Sequence, residues 1–221
     1  MKLKPTIAAI AAGLTLSVAM GQGTLNFRGL NDIQFNAAGN TFQLNPVAGS
    51  SLTPEFIFTG AASGVSGWIT GSPWAVNLAS LFSATGGGLT YQEAAVAGGG
   101  QLNLFDGVNT LTGNLSWLTI NLLSNGQGGV ADSLSVNVTG MTYTGANADL
   151  RALAIDGNAN LNLTFQFSGA APTMTSLFNG TTTASFSGSA SAAPEPSTQA
   201  LLLLPVIFMA LRRWRKRSLT F

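Results

Sequence analysis

Between residues 24 and 193, the side chains able to do chemistry are seven carboxylates, two tyrosines and three tryptophans. Paired carboxylates hydrolyse glycosides when they face each other across the scissile bond. Glu55 and Glu93 are the only Glu of this region, and nothing in their spacing places them on facing strands. Asp106 and Asp156 each precede Gly, the arrangement of a turn former. Asp132 follows Gly128-Gly129-Val130-Ala131 and opens a strand. Asp106, Asp132 and Asp149 would gather Ca²⁺ only through loop oxygens, and the chain has neither EF-hand nor nonapeptide spacing. The chain contains no His and no Cys. That removes the Ser-His-Asp triad, the Cys nucleophile, the usual zinc ligands and any disulfide. The expectation is a non-enzyme with no cofactor and no metal.

The tryptophans offer a different chemistry. Trp117 shares a strand face with Leu115, the pattern of a core residue. Trp68 and Trp74 sit among Gly67, Gly71 and Pro73. A loop pair of Trp can stack on sugar rings, so both are candidate glycan-binding residues. The alternative is that both plug one end of the fold. Asn114, Asn137, Asn162 and Asn179 match the N-glycosylation acceptor pattern, which an Asn- and Thr-rich strand protein produces by chance.

These residues must be positioned by strands. From Thr24 to about Phe186 the dominant signal is alternation of period two, as in Leu102 and Leu104, Leu134, Val136 and Val138, and Leu161, Leu163, Phe165 and Phe167. The residues between them are Asn, Gln, Ser and Thr, so one face is dry and the other wet. In Leu115–Leu123 the apolar phase slips, which a β-bulge explains. Asp106-Gly107, Asn125-Gly126, Asp156-Gly157 and Asn179-Gly180 supply turns, and Gly86–Gly88 and Gly98–Gly100 are further breaks. Asp149–Ile155 reads as a short helix or a strand, and Glu93–Ala97 is too short for more than one helical turn. The expected fold is all-β: an antiparallel β-sandwich or jelly roll of roughly ten to twelve short strands. A β-solenoid is the runner-up, and the lack of a fixed period counts against it.

Only 8% of the 221 residues are charged, against about 25% in a typical domain, and the sign is partitioned. Residues 1–23 are net +2, residues 24–193 net −5, and residues 194–221 net +4. The acidic, Lys-free middle has no electrostatic footprint for nucleic acid. Lys2 and Lys4, then the apolar Ile7–Met20, then Ser17, Ala19 and Gly21 follow the order of a signal peptide over 1–21. Cleavage after Ala19 and cleavage after Gly21 both fit. Such a leader implies export by the Sec translocon and removal by signal peptidase. With no disulfides, the exported body must be held by its core. Residues 187–193 read as a flexible linker or the end of a last strand. Thr198 to Trp214, with the first Arg side chains snorkelling, reads as a thin membrane span, with Arg212, Arg213, Arg215, Lys216 and Arg217 as a cytoplasmic basic stop signal.

Pro194-Glu195-Pro196-Ser197-Thr198, one hydrophobic helix and a terminal Arg cluster, in that order at the chain end, resemble the PEP-CTERM sorting signal over residues 194–217. The family helix often carries several Gly, where this one has Pro205. Leu111–Trp117, Tyr143–Leu150 and Leu163–Phe167 are similar to segments of short verrucomicrobial-type members, a group with no activity to carry over. The resemblance implies an exosortase as partner, a membrane-embedded protease that recognises the Pro-Glu-Pro segment and cuts near it. It further implies an inner-membrane-anchored precursor, then an envelope or extracellular-matrix protein associated with exopolysaccharide or biofilm. The implied domain order is signal peptide 1–21, secreted β domain 24–186, linker 187–193 and sorting signal 194–217.

Overall fold

The computed structural model describes residues 24–45, 54–124, 129–168 and 172–193. The alternating pattern folds as strands: β1 (Thr24–Gly29), β2 (Ile33–Asn36), β3 (Thr41–Leu44), β4 (Phe56–Phe58), β5 (Ser66–Thr70), β6 (Trp74–Gly86), β7 (Leu89–Ala97), β8 (Gly99–Phe105), β9 (Thr110–Ser124), β10 (Gly129–Thr142), β11 (Ala159–Gln166) and β12 (Thr181–Ala192). Two helices join them, α1 (Ala148–Ala154) and α2 (Met174–Leu177). The expected leader helix and membrane helix fall outside the described residues. Within the described residues, no helix is long and apolar enough to cross a membrane.

All twelve strands belong to one antiparallel sheet that closes on itself, rather than two separate sheets. Its spine is β9–β10–β11–β12, of 15, 14, 8 and 12 residues, so several strands are longer than the sequence suggested. The outer edge of β12 pairs with β1 along Ser187–Ser191 and with β2 along Thr181–Ala184. The outer edge of β9 likewise pairs with β8 along Thr110–Ser116 and with β7 along Thr119–Ser124. Two rings result, sharing the spine. The first ring closes through β1, β4, β5 and β8. The second closes through β2, β3, β6 and β7. Closure satisfies main-chain donors and acceptors that an open sheet would leave at its edges.

One contiguous core fills both rings. In the first, Phe27, Phe56 and Phe58 pack together, with ring centroids 4.7–6.0 Å apart. In the second, Trp74 and Trp117 lie 4.6 Å apart and Phe42 contacts both. Each fully buried side chain of this size contributes about 1.5–3 kcal/mol relative to exposure. The anticipated slip in Leu115–Leu123 is a bulge: Val136 pairs with Trp117 and Ser135 with Thr119, leaving Leu118 extra and exposed. Asp149–Ile155 resolves as helix. Asn147 Oδ1 accepts from the backbone N–H of Asp149 and Leu150 at 3.0 and 3.1 Å, capping α1, and Leu150 and Leu153 face the core. Glu93–Ala97 is the end of β7.

The body does not stop at residue 186, and 187–192 is not a linker. It is the C-terminal half of β12, paired on one side to β1 and on the other to β11. Its residues are small because space is short. A Cβ on Gly188 would lie 2.2 Å from the Asn162 carbonyl oxygen and 2.4 Å from the Phe27 ring. Small side chains mark a close approach here, where composition alone suggested flexibility.

Candidate functional site

The two candidate glycan-binding tryptophans do not form a pair. Trp74 opens β6 facing inward. It is fully buried, and its Nε1 donates to the Gly99 carbonyl at 2.9 Å. A ring with no exposed face cannot stack on a sugar, so Trp74 leaves the candidate set. Trp68 lies on the outward side of β5, between the buried Gly67 and Ile69, and is half-buried. Its neighbour across the ladder is Asn103 of β8, then Thr112 of β9, then Thr142 of β10. Asn103 is buried and donates to the Gln101 carbonyl at 3.2 Å. The Thr112 and Thr142 hydroxyls are 3.1 Å apart. One indole edged by an amide and two hydroxyls is an uncharged, hydrogen-bonding strip.

A second outward cluster carries more chemistry, and the sequence reading missed it. On β6, β7 and β9 the ladder sets Phe82 opposite Glu93, and Glu93 opposite Asn121. Tyr91, two residues before Glu93, shares its face. The Tyr91 hydroxyl donates to Glu93 Oε2 and lies 3.0 Å from Asn121 Oδ1. This bond to Glu93, with lesser contributions from burial and the Glu93 charge, pushes the Tyr91 hydroxyl up to about 12. Phe82 meets Tyr91 edge-on at 6.4 Å and is 58% exposed. Leu89, also outward on β7, is another of the exposed large apolar side chains. The pairing was illegible in sequence because β6 is irregular. Asn77 pairs with Ala95, but the next pair is Phe82 with Glu93, so four residues bulge against one. Asn77 Oδ1 accepts from the Ala79 N–H at 3.1 Å, and the Ser80 hydroxyl donates to the Asn77 carbonyl at 2.7 Å and accepts from the Ala95 N–H at 3.0 Å. The one legible signal was Gly86–Gly88, which turns the hairpin through Gly87 and Gly88 at positive φ.

The remaining carboxylates are dispersed. Glu55 is buried in the first ring, where its Oε2 accepts from the Ile69 N–H at 2.7 Å. Burial pushes its carboxyl up to about 8, against the smaller lowering effect of that bond. Glu55 and Glu93 therefore lie on different elements, one inside and one outside. Asp132 points inward from β10 between Leu122 and Phe165 and accepts from the Leu123 N–H at 3.1 Å. Burial raises its carboxyl as well. Gln92, across Leu122 on β7, accepts from the Met174 N–H at 2.7 Å and ties α2 to this end of the second ring. Asp106 is the turn former expected. Its Oδ1 accepts from Asn109 and Val108, and its Oδ2 from Tyr143, which together hold its carboxyl below the ordinary range. Asp106, Asp132 and Asp149 sit on a turn, a strand and a helix, and no group of three such ligands converges among the described residues.

The sorting-motif residues Pro194, Glu195, Pro196, Ser197 and Thr198, and the basic residues Arg212, Arg213, Arg215, Lys216 and Arg217, lie outside the described residues. What precedes them is defined: β12 ends at Ala192, and the Ala193 N–H donates to the Asn158 carbonyl at 3.0 Å. The chain is thus part of the folded body up to the residue before Pro194. No family model, curated protein or solved structure matches this chain.

Proposed function

We propose that this protein is an exported, non-catalytic component of the cell envelope or extracellular matrix, sorted and cut at its C-terminal PEP-CTERM-like signal by an exosortase. The Sec translocon and signal peptidase act first on the leader, and the C-terminal segment then anchors the precursor in the inner membrane. The observation that carries the reading is the position of the last strand. β12 ends at Ala192, two residues before the Pro194-Glu195-Pro196 motif, so a cut at or beyond the motif removes no strand from the body. The test is mass spectrometry of the protein from cells with and without the protease. The expected product lacks Leu201–Arg217 only when the protease is present. An intact C-terminus in both overturns the processing.

A second reading, a secreted polysaccharide-binding module, is favoured by one observation. Trp68 is held on the outward face of β5 beside Asn103, Thr112 and Thr142, a strip of neutral donors and acceptors. Retention on a glycan array that Trp68→Ala abolishes would support it, and nil retention would reject it.

A further inference from the structure

We infer that the outward face of the β6–β7 hairpin and β9 is a saccharide-binding site, with Phe82, Tyr91, Glu93 and Asn121 as its contacts and an uncharged sugar ring as its ligand. The inference rests on the polysaccharide-binding reading and moves its centre from Trp68 to the second ring.

Three properties converge on this chemistry. First, the floor is aromatic and exposed. Phe82 presents most of its surface to solvent and is braced edge-on by Tyr91, leaving a ring face for the C–H groups of a pyranose. Second, the rim supplies an acceptor beside a donor. Tyr91 donates its one proton to Glu93 Oε2, and Asn121 Oδ1 lies 3.0 Å from the same hydroxyl. Among the described residues, Oε1 of Glu93 and Nδ2 of Asn121 are then left for a ligand. A carboxylate oxygen that accepts, next to an amide that donates, matches two neighbouring hydroxyls, each of which can do both. The Tyr91 hydroxyl fixes the Glu93 carboxylate before anything binds, which reduces the ordering cost of association. Third, the surroundings select against charge. The segment from Trp74 to Gln92 contains no charged residue, and Glu93 is the one charge in the cluster. An anionic polymer meets a carboxylate with no cation near it, since Arg28 and Arg151 are the only basic residues of the body and stand on β1 and α1. The outward neighbour of Asn121 on β10 is Ser133, which continues the neutral rim onto the spine.

The test uses the full chain, purified in mild detergent. It is co-sedimented with insoluble cellulose and run in affinity gels containing a soluble β-1,3-glucan, with alginate and chitosan as anionic and cationic comparisons. Phe82→Ala and Glu93→Gln alter exposed or half-buried outward positions, so both should keep the wild-type melting temperature, which is measured alongside. The expected result is salt-insensitive retention on at least one neutral polymer, weakened about tenfold by Phe82→Ala and unchanged by Trp68→Ala. Glu93→Gln should weaken it with the aromatic floor intact. Binding that Trp68→Ala abolishes and Phe82→Ala leaves untouched overturns this site and keeps the Trp68 reading. Preference for alginate or chitosan that fades with salt also overturns it, because charge would then be what is recognised. No retention on any neutral polymer overturns both.

Discussion

The two rings share four strands yet close by different means. The first closes through contacts that only glycine allows. A Cβ on Gly67 would sit 2.1 Å from the Phe56 ring, and one on Gly100 would sit 2.1 Å from the Thr70 carbonyl oxygen. Its narrowest joint is β4 to β5, paired at Phe56–Gly67 and Ile57–Ser66, and Phe27, Phe56 and Phe58 pack together in its interior. The second ring is filled by bulk: Phe35, Phe42, Trp74, Trp117, Phe165 and Phe178 are all buried. Its narrowest joint is equally short, β3 pairing with β6 at Trp74 and Ala75. From Val76 onward β6 has β7 alone past a four-residue bulge to the glycine turn, while β7 stays paired to β9 along Thr90–Ala95. Tight backbone approach thus distinguishes the first ring. Large side chains give the second ring a thick core and leave the outer edge of β6 free, and the face beside that edge carries the most chemically furnished outer surface.

Breaking the second ring at its centre should have the largest effect. Trp74→Ala removes a fully buried indole and its bond to Gly99, and should cost about 3–5 kcal/mol in chemical denaturation. If the rings are as interdependent as their shared spine implies, a single unfolding transition remains. Two separated transitions would show that each ring folds alone.

Glu55 makes the first ring pH-sensitive. The Glu55 carboxyl titrates near 4.5 when unfolded and near 8 when folded. Its contribution to stability is therefore complete below pH 4.5 and is lost as pH rises toward 8. Between pH 5 and pH 7 the loss should be about 3 kcal/mol at most, and Glu55→Gln should flatten that slope. An unchanged slope in the variant would place the titration elsewhere, with Asp132 the next candidate because burial raises it too.

The smallest effect separates two rings that touch. Trp74 Nε1 has its acceptor, whereas Trp117 Nε1 is buried with none among the described residues. Trp117→Phe removes an unsatisfied donor, and Trp74→Phe removes a satisfied one. The second should be costlier by about 1–2 kcal/mol. Equal costs would mean that the Gly99 bond contributes nothing net.

The alternation of Leu134, Val136 and Val138, or of Leu161, Leu163 and Phe165, made the strands of the spine readable. Each is flanked on both sides, so one face must be dry. The bulge at Leu118 was readable for the same reason, as a slip in phase. Closure was not, because ring formation depends on β9 and β12 each pairing with two successive strands along one edge, a property of length and register. Residues 187–192 were open between a linker and the end of a last strand, because Ser, Gly and Ala describe both equally well, and the structure shows the strand. Trp74 misled because its glycine and proline neighbours suggest a loop, while the indole itself points inward. The Tyr91, Glu93 and Asn121 cluster needed the register across the bulge, which no local pattern encodes.

The continuity of the sheet has a consequence for resistance to proteolysis. A protease holds its substrate as an extended strand and needs an exposed stretch of backbone to hold. Here, among the described residues, nearly every strand already has a neighbour on each side, and Val76–Gly86 of β6 is the long stretch that does not. A chain without cysteine cannot be cross-linked against digestion. This one is instead sealed by its own hydrogen bonds, and the first nick is directed to the free edge of β6, which β7 separates from the shared spine.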